Sequence, residues 1–435
     1  MRGTDPADRE LVNEPADSYY AATANPAPRR PSLAGTIDCD VCVVGAGIAG
    51  CSAALNLAER GYRVALLEAQ RVGHGGSGRS GGQMIYGYAR DMPAIERLVS
   101  AADAQRLWEL SQEAIETTVG RIRKHAIQCD LRLGHLSAAI KPRQREELIR
   151  FKAYMEERYG YGGMELLTGA ALRAHIDSSR YLAALRDGRS GHLHPLNYTL
   201  GIAAAAEAAG AVIHEHSPAV ALTTGSRCTV QTPAGLVRSR FLVLTGGAYM
   251  DELVPELRRK IMPVGTYITT TEPLGEPRAR ALLPHNAAVT DTNFVLDYFR
   301  RTADHRLLFG GRVSYSTFQP PRLAATLRRR MLQVFPQLAD TRQAYTWGGF
   351  VDITINRFPH FGRLAPNAYF AHGFSGHGIA LTGLAGKLLG EVIAGQAERF
   401  DLFAKVKHRD FPGGRLMRMP LLVLAMTWFR LRDLL

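Results

Sequence analysis

The segment Val41–Gly50 reads Val-Cys-Val-Val-Gly-Ala-Gly-Ile-Ala-Gly, and Glu68 closes a second apolar run eighteen residues after Gly50. No other stretch restricts the fold as strongly. Val41–Val44 has the composition of a buried parallel strand. Gly45, Gly47 and Gly50 follow it as G-x-G-x-x-G. Gly45 allows a tight turn, Gly47 lets backbone approach a diphosphate, and Gly50 lets the next helix pack close to the sheet. That helix turns free N–H groups and the positive end of its dipole toward an anion. Ser52–Arg60 continues it, with Ala53, Ala54, Leu57 and Ala58 inward, and Gly61 stops it. Arg63–Glu68 is the second strand, and the Glu68 carboxylate stands where both ribose hydroxyls can donate to it. Strand, helix, strand and acid in register predict a site for the adenosine diphosphate half of a dinucleotide.

The rest of the chain alternates between glycine turns and periodic segments. A Gly-rich loop spans 73–83. Met92–Ile127 and Pro142–Tyr159 read as helices, and His194-Pro195 opens another over Leu196–Ala209. Val212–His214, Val220–Leu222 and Cys228–Thr232 read as short strands. Phe241–Leu244 is a buried strand running into Thr245-Gly246-Gly247-Ala248. Met262–Thr271, Asn293–Arg300 and Arg306–Gly310 alternate as strands do, and Arg322–Phe335 as a helix. Ala368–Ala371 is a strand leading into His372–Gly378 and a helix to about Ala394.

This order predicts a mixed α/β chain. A Rossmann-like domain, in the pieces 36–94, 192–262 and 345–400, is interleaved with a substrate domain, 95–191 and 263–344, built on an antiparallel sheet with helices. Residues 1–35 form an arm that wraps the surface or stays loose, and 401–435 a basic and apolar tail.

Composition narrows the function classes. The net charge of +13 is compatible with an anionic cofactor, an acidic substrate or an anionic membrane surface. No nucleic-acid module and no basic stripe with interleaved aromatics is present. The run Arg328–Arg330 reads as a solvated helix face. No stretch reaches the ~20 apolar residues that span a bilayer. No secretory signal stands at the N-terminus, so a cytoplasmic protein is expected. Five cysteines suit free thiols in a reducing compartment. Cys39 and Cys42 match C-x-x-C, but an offset of three on a strand points them to opposite faces. His372 and His377 flank a glycine loop, and no metal site is expected.

Four motifs occur in a fixed order: the first segment, the loop 73–83, Thr245–Ala248, and Gly373-Phe374-Ser375-Gly376-His377-Gly378. Together they resemble the D-amino-acid oxidase superfamily of flavin-dependent amine oxidases over about residues 36–400. Within it the chain is similar to the γ-glutamylputrescine oxidases. That likeness rests on Ser18-Tyr19-Tyr20, Arg71-Val72-Gly73, Ser77–Gln83, the segment from Asp291 to Arg300, and Phe411–Arg415. Bacterial L-pipecolate oxidases share this level of similarity.

The resemblance implies FAD. Gly45, Gly47, Gly50 and Glu68 would hold its adenosine diphosphate half. Ser77, Arg79, Ser80, Gly81, Gly82 and Gln83 would run beside the flavin ring. Gly246 and Gly247 would pass close to the nucleotide end, and Gly373, Phe374, Ser375, Gly376, His377 and Gly378 would meet the pyrimidine side. Ala46, Ile48, Ala69 and Val220 complete the expected contacts. The covalent flavin link of the sarcosine oxidases is absent, since no cysteine lies beyond Cys228. The lysine that clasps a substrate carboxylate in those relatives is matched by Ala380. An oxygen-activating lysine would fall in Leu307–Gly310, where there is none.

The implied reaction takes a hydride from the carbon next to a neutral amine, giving an imine, then an aldehyde, ammonia and hydrogen peroxide. The preferred substrate is γ-glutamylputrescine or a similar acylated polyamine, with oxygen or a quinone as acceptor. An L-pipecolate oxidase and a quinone-linked dehydrogenase are competing readings, as is a flavin-binding subunit or sensor without turnover. His377 and Tyr298 are the candidate catalytic residues. Phe299, Tyr86 and Tyr88 line either the substrate space or the core. Pro420–Phe429, flanked by arginines, either lies peripherally on an anionic membrane surface or packs against the protein. The motifs leave the oligomeric state open.

Overall fold

In a computed structural model of the chain, residues 18–250, 252–293, 295–314 and 322–412 are described. Among them the chain builds two sheets, of eight and nine strands.

The first sheet is organised around Gly35–Val44. That strand pairs in parallel with Gly235–Leu244 on one side and Val64–Leu67 on the other. Val212–His214 extends the sheet beyond Val64–Leu67, and Ala368–His372 beyond Gly235–Leu244, again in parallel. Val41–Val44 and Val64–Leu67 are buried at every residue, which explains why they read as unbroken apolar runs. The parallel register brings their C-terminal ends to one edge, where Gly45, Glu68, Gly246 and Gly373 all fall. Open α/β sheets bind ligands at this edge.

The helix Ile48–Ala58 leaves that edge with every residue buried. A single inward stripe of Ala53, Ala54, Leu57 and Ala58 was expected. Instead the helix is covered all round, because its small residues accept another helix, Gly378–Ile393, at close range. A Cβ on Gly386 would lie 2.4 Å from Ser52 Cβ, and Ser52 Oγ donates to the Gly383 carbonyl at 2.6 Å.

The second sheet runs Gln343–Ile353, Met262–Thr271, Leu307–Ser314, Tyr298–Arg301, Ala288–Asp291, Arg132–Ala139, Ala183–His192 and Gln83–Met84, with Met164–Thr168 beside Ala183–His192. It is antiparallel except where Ala288–Asp291 pairs with Arg132–Ala139. Two strands cross the expected division of the chain. Gln343–Ile353, partly inside the piece 345–400, pairs along its length with Met262–Thr271, and Gln83–Met84 pairs with Ala183–His192.

Several local expectations need correction. The span Met92–Ile127 is two helices, Met92–Ile95 and Ala101–Lys124, because Ser100 caps the second by accepting the Asp103 N–H. Leu98 lies in the break and is exposed. Asn293 is not on a strand. It sits in a bend where Asp291 accepts its N–H, and the strand begins at Tyr298. Arg330 is not a solvated charge, since it donates to buried Asp297 at 2.6 Å.

From Ser18 onward the arm wraps the body. Tyr19 and Tyr20 are buried, and Arg30 pairs with Glu207 at 2.7 Å. The proposed membrane segment Pro420–Phe429 lies outside the described residues, as do residues 1–17. Among the described residues no single helix is long and apolar enough to cross a membrane.

Candidate active site

Two parallel strands end side by side in glycine turns. Gly45, at φ +99°, backs onto Gly246: a Cβ on Gly45 would lie 3.0 Å from Gly246 Cα. Thr245 ties the turns together, donating its hydroxyl to the carbonyls of Val44 and Gly45 at 3.0 Å. Gly50 presses the helix onto the turn, as its spacing implied.

At the helix start Gly47–Ile48, Ser77 Oγ accepts the Ile48 N–H at 3.0 Å. A Cβ on Gly47 would meet that hydroxyl at 2.8 Å. So the loop 73–83 folds back to the anion-binding end of the helix.

Glu68 follows its strand and reaches across the edge. It accepts N–H groups of Ala46 at 2.8 Å and Gln70 at 3.0 Å. Burial raises its pKa, and the backbone donors oppose that shift. The neighbouring Ala69 is exposed. Val220 does not join this group by its side chain. It is 56% exposed, and its N–H is taken by Gln231, because it begins an edge hairpin.

The Gly373–Gly378 turn is held from below by Asp352. Asp352 Oδ2 accepts the Gly373 N–H at 2.6 Å, and its peptide carbonyl accepts the Ser375 N–H at 3.0 Å. A Cβ on Gly247 would lie 2.9 Å from the same carboxylate oxygen. One acid thus lies against both the 246–247 and 373–375 turns. Burial pushes its pKa up to about 6. Gly376 is exposed, and Phe374 is buried.

His377 ends this turn. Its Nε2 lies 2.8 Å from the Tyr86 carbonyl and 3.1 Å from the Ile85 carbonyl, so that nitrogen carries the proton and donates. Burial lowers its pKa and keeps it neutral. Its Nε2 pins the chain after the loop 73–83 to the start of the last long helix.

The loop itself meets the second sheet. Tyr298 lies against Gly81, where a Cβ would be 2.6 Å from its ring, and against Gly310, where a Cβ would be 2.1 Å away. Burial raises its pKa. Arg79 donates to the His74 carbonyl at 2.7 Å, and Trp347 Nε1 donates to the Arg79 carbonyl at 3.0 Å. Arg79 has no carboxylate among these contacts, and burial lowers its pKa. Ser80 Oγ accepts the Gly82 N–H at 3.4 Å, inside the loop. The Gln83 amide is engaged at both ends, donating to Val289 and accepting from Thr290.

Phe299, Tyr88 and Tyr86 pack among other side chains. Phe299 is fully buried on the opposite face, against Phe309 and Phe335, because strand residues alternate. Tyr88 packs on Phe358 and donates to Leu107, and Tyr86 packs in a cluster with Trp108 and Tyr161. No group of three metal-ligating side chains occurs among the described residues. Cys39 and Cys42 are free.

Sequence reasoning missed Asp352, Arg300 and Trp347. A lone acid in the apolar run Phe350–Ile353 was the available signal for Asp352. Arg300 lay in a quoted motif with nothing to show that it is buried.

The edge of glycine turns, the acid after the second strand and the capped helix start define a dinucleotide-binding protein. The family described as FAD dependent oxidoreductase (DAO) matches residues 40–392. The chain is 42% identical to the gamma-glutamylputrescine oxidoreductase of Escherichia coli (strain K12), over 97% of this chain and 99% of that one. It is 40% identical to a probable oxidoreductase, OrdL, of Haemophilus influenzae, over 96% and 97%. Glycine oxidase from Geobacillus kaustophilus shares the fold, with a TM-score of 0.71 at 20% identity over 85% of this chain and 98% of that one. L-proline dehydrogenase from P. horikoshii does so too, with a TM-score of 0.71 at 20% identity over 86% and 96%. The chain belongs to the DAO family of FAD-dependent oxidoreductases.

The residues fit the cofactor. The N-terminus of the helix Ile48–Ala58 turns backbone N–H groups toward the sheet edge, as a diphosphate requires, and the Glu68 carboxylate at the same edge is a group that ribose hydroxyls could donate to.

Proposed function

We propose that this enzyme oxidises a primary amine at the end of an acylated polyamine, with γ-glutamylputrescine as the substrate. The observation that carries this reading is the 42% identity to gamma-glutamylputrescine oxidoreductase over nearly the whole of both chains. FAD supplies the two-electron oxidation of the carbon–nitrogen bond when bound. Gly45, Ala46, Gly47, Ile48, Gly50 and Glu68 would hold its adenosine diphosphate half, without a covalent link. Ser77–Gln83, Gly246, Gly247 and Gly373–Gly378 border the remainder.

The chain's own residues favour a neutral amine. Tyr298, Trp347 and the backbone of Gly81 and Gly310 make a largely apolar wall. A desolvated amine loses its proton more readily, and only the neutral form has a lone pair to assist loss of hydride. Tyr298 shapes the substrate side, and His377 holds the loop rather than moving a proton. Ala380 is buried and offers no cation to an α-carboxylate, which supports a substrate whose carboxylate lies far from the reacting carbon. The released imine hydrolyses to aldehyde and ammonia, and oxygen takes the electrons as hydrogen peroxide.

The test is anaerobic mixing of yellow protein with γ-glutamylputrescine, putrescine, L-pipecolate or sarcosine, following the flavin band. Bleaching by γ-glutamylputrescine above the others is the expected result. Bleaching by L-pipecolate alone overturns the substrate, and bleaching by none overturns turnover. Oxygen is then admitted and peroxide assayed. Its absence makes the enzyme a dehydrogenase with another acceptor.

A further inference from the structure

We propose that Arg300 is an electrostatic positioning residue, a buried and uncompensated guanidinium that favours the reduced, anionic state of the bound flavin. The inference rests on the reading that Ser77–Gln83 borders the ring.

Tyr298 and Arg300 are two apart on one strand and share a face. Tyr298 covers Gly81 on that face, and Arg300 lies behind the same peptide. Arg300 is 3% exposed. Its Nε donates to the Gly81 carbonyl at 3.0 Å and its Nη1 to the Arg301 carbonyl at 3.2 Å. Its Nη2 donates to Tyr20 Oη at 3.0 Å and to the Leu193 carbonyl at 3.1 Å. A Cβ on Gly82 would lie 3.2 Å from that nitrogen. Every acceptor is neutral. Arg30, also buried, has a carboxylate at 2.7 Å. Among the described residues Arg300 has hydrogen bonds and no carboxylate partner.

A buried ion without a partner costs several kcal/mol even after relaxation. The nearby groups do not cancel its charge. Burial, then the Arg300 charge, hold His192 and His194 neutral, with pKa values of about 3. The helix Tyr19–Ala22 closes over the site, and Tyr20 shuts out water. In such surroundings a charge acts at longer range than at a surface. The oxidised flavin ring is neutral, and the two-electron reduced ring is an anion when N1 is deprotonated. Reduction therefore supplies the counter-charge that the protein withholds. The bond to the Gly81 carbonyl fixes the guanidinium behind the loop that borders the ring.

The test uses FAD-loaded wild type and the variants Arg300→Lys, Arg300→Met and Arg300→Gln. Sulfite is the probe: its sulfur lone pair bonds to flavin N5, and the ring keeps the resulting negative charge. The midpoint potential is measured by dye equilibration. Arg300→Lys should hold sulfite within threefold of wild type. Arg300→Met and Arg300→Gln should bind it at least tenfold more weakly, with the potential lower by about 30 mV for each tenfold loss. If Arg300→Met does not fold, Arg300→Gln decides by the same two measurements. Variants that keep FAD, sulfite affinity and potential unchanged would overturn the proposal and leave Arg300 a structural pin. Wild-type protein that takes up no FAD would overturn the underlying site instead.

Discussion

A Cβ atom on Gly50 would lie 1.8 Å from the carbonyl oxygen of Gly45. The two residues belong to one motif, and their contact sets the distance between the first helix and the sheet edge. Both partners are backbone, so no rotamer change relieves the overlap. The helix would have to move away, taking the N–H groups of Ile48 and its neighbours with it. Gly50→Ala should cost about 3 kcal/mol, the upper end of the overpacking range. Thermal denaturation of the FAD-free protein measures that loss. Purified variant protein should also be colourless, and a yellow, stable Gly50→Ala protein would contradict the arrangement.

Gly310 and Tyr298 make a second forced pair. A methyl group on Gly310 would fall 2.1 Å from the Tyr298 ring, which also lies against Gly81. Gly310→Ala should therefore displace the tyrosine, lowering stability by about 2 kcal/mol and slowing substrate-driven bleaching tenfold or more. In a Tyr298→Ala background the same substitution has room and should be nearly neutral. The double-mutant cycle reads this coupling directly. Additive effects would mean that the two residues do not confront each other.

His377 donates from Nε2 to two carbonyls, and desolvation favours its neutral form. His377→Ala leaves the Ile85 and Tyr86 carbonyls without that donor. The loss should be about 1–3 kcal/mol, with faster FAD release in a dilution assay. Burial keeps the titration of His377 below its usual range. The pH profile of bleaching between pH 6.5 and 9 should therefore keep its shape in the variant. An inflection in that range that vanishes with His377→Ala would restore a proton-transfer role.

The parts legible in the sequence were those in which one residue type had one physical job. Gly45 and Gly50 had to be glycine, and Glu68 had to follow an apolar strand, so the cofactor edge was readable without coordinates. The helix Pro142–Tyr159 and the strand Met262–Thr271 fell at their expected ends. The second sheet was less legible. Ala183–His192 carries Gly, Arg and Asp and no β-branched residue, Gln343–Ile353 carries two glycines and an Asp, and their partners lie far away in sequence. Val220 was not legible for another reason. Its place in a family pattern says nothing about whether its side chain or its backbone meets a ligand. Asp352 and Arg300 were invisible as site residues because their roles depend on what their neighbours lack.

Asp352 gives the protein a predictable response to pH. Its carboxyl is buried, and desolvation is the largest influence on it, raising its pKa to about 6. An unfolded aspartate titrates near 3.9. The folded state therefore binds the proton more tightly than the unfolded state. The stability linked to this group is fully present below pH 4 and is lost as pH rises through 6. Two pKa units correspond to about 3 kcal/mol. Asp352→Asn keeps an acceptor for the Gly373 N–H but cannot ionise. The difference in melting temperature, variant minus wild type, should therefore grow more positive from pH 4 to pH 7 in FAD-free protein. A constant difference across that range would show that Asp352 titrates normally. It would also remove the argument that this acid is sealed between the two glycine turns.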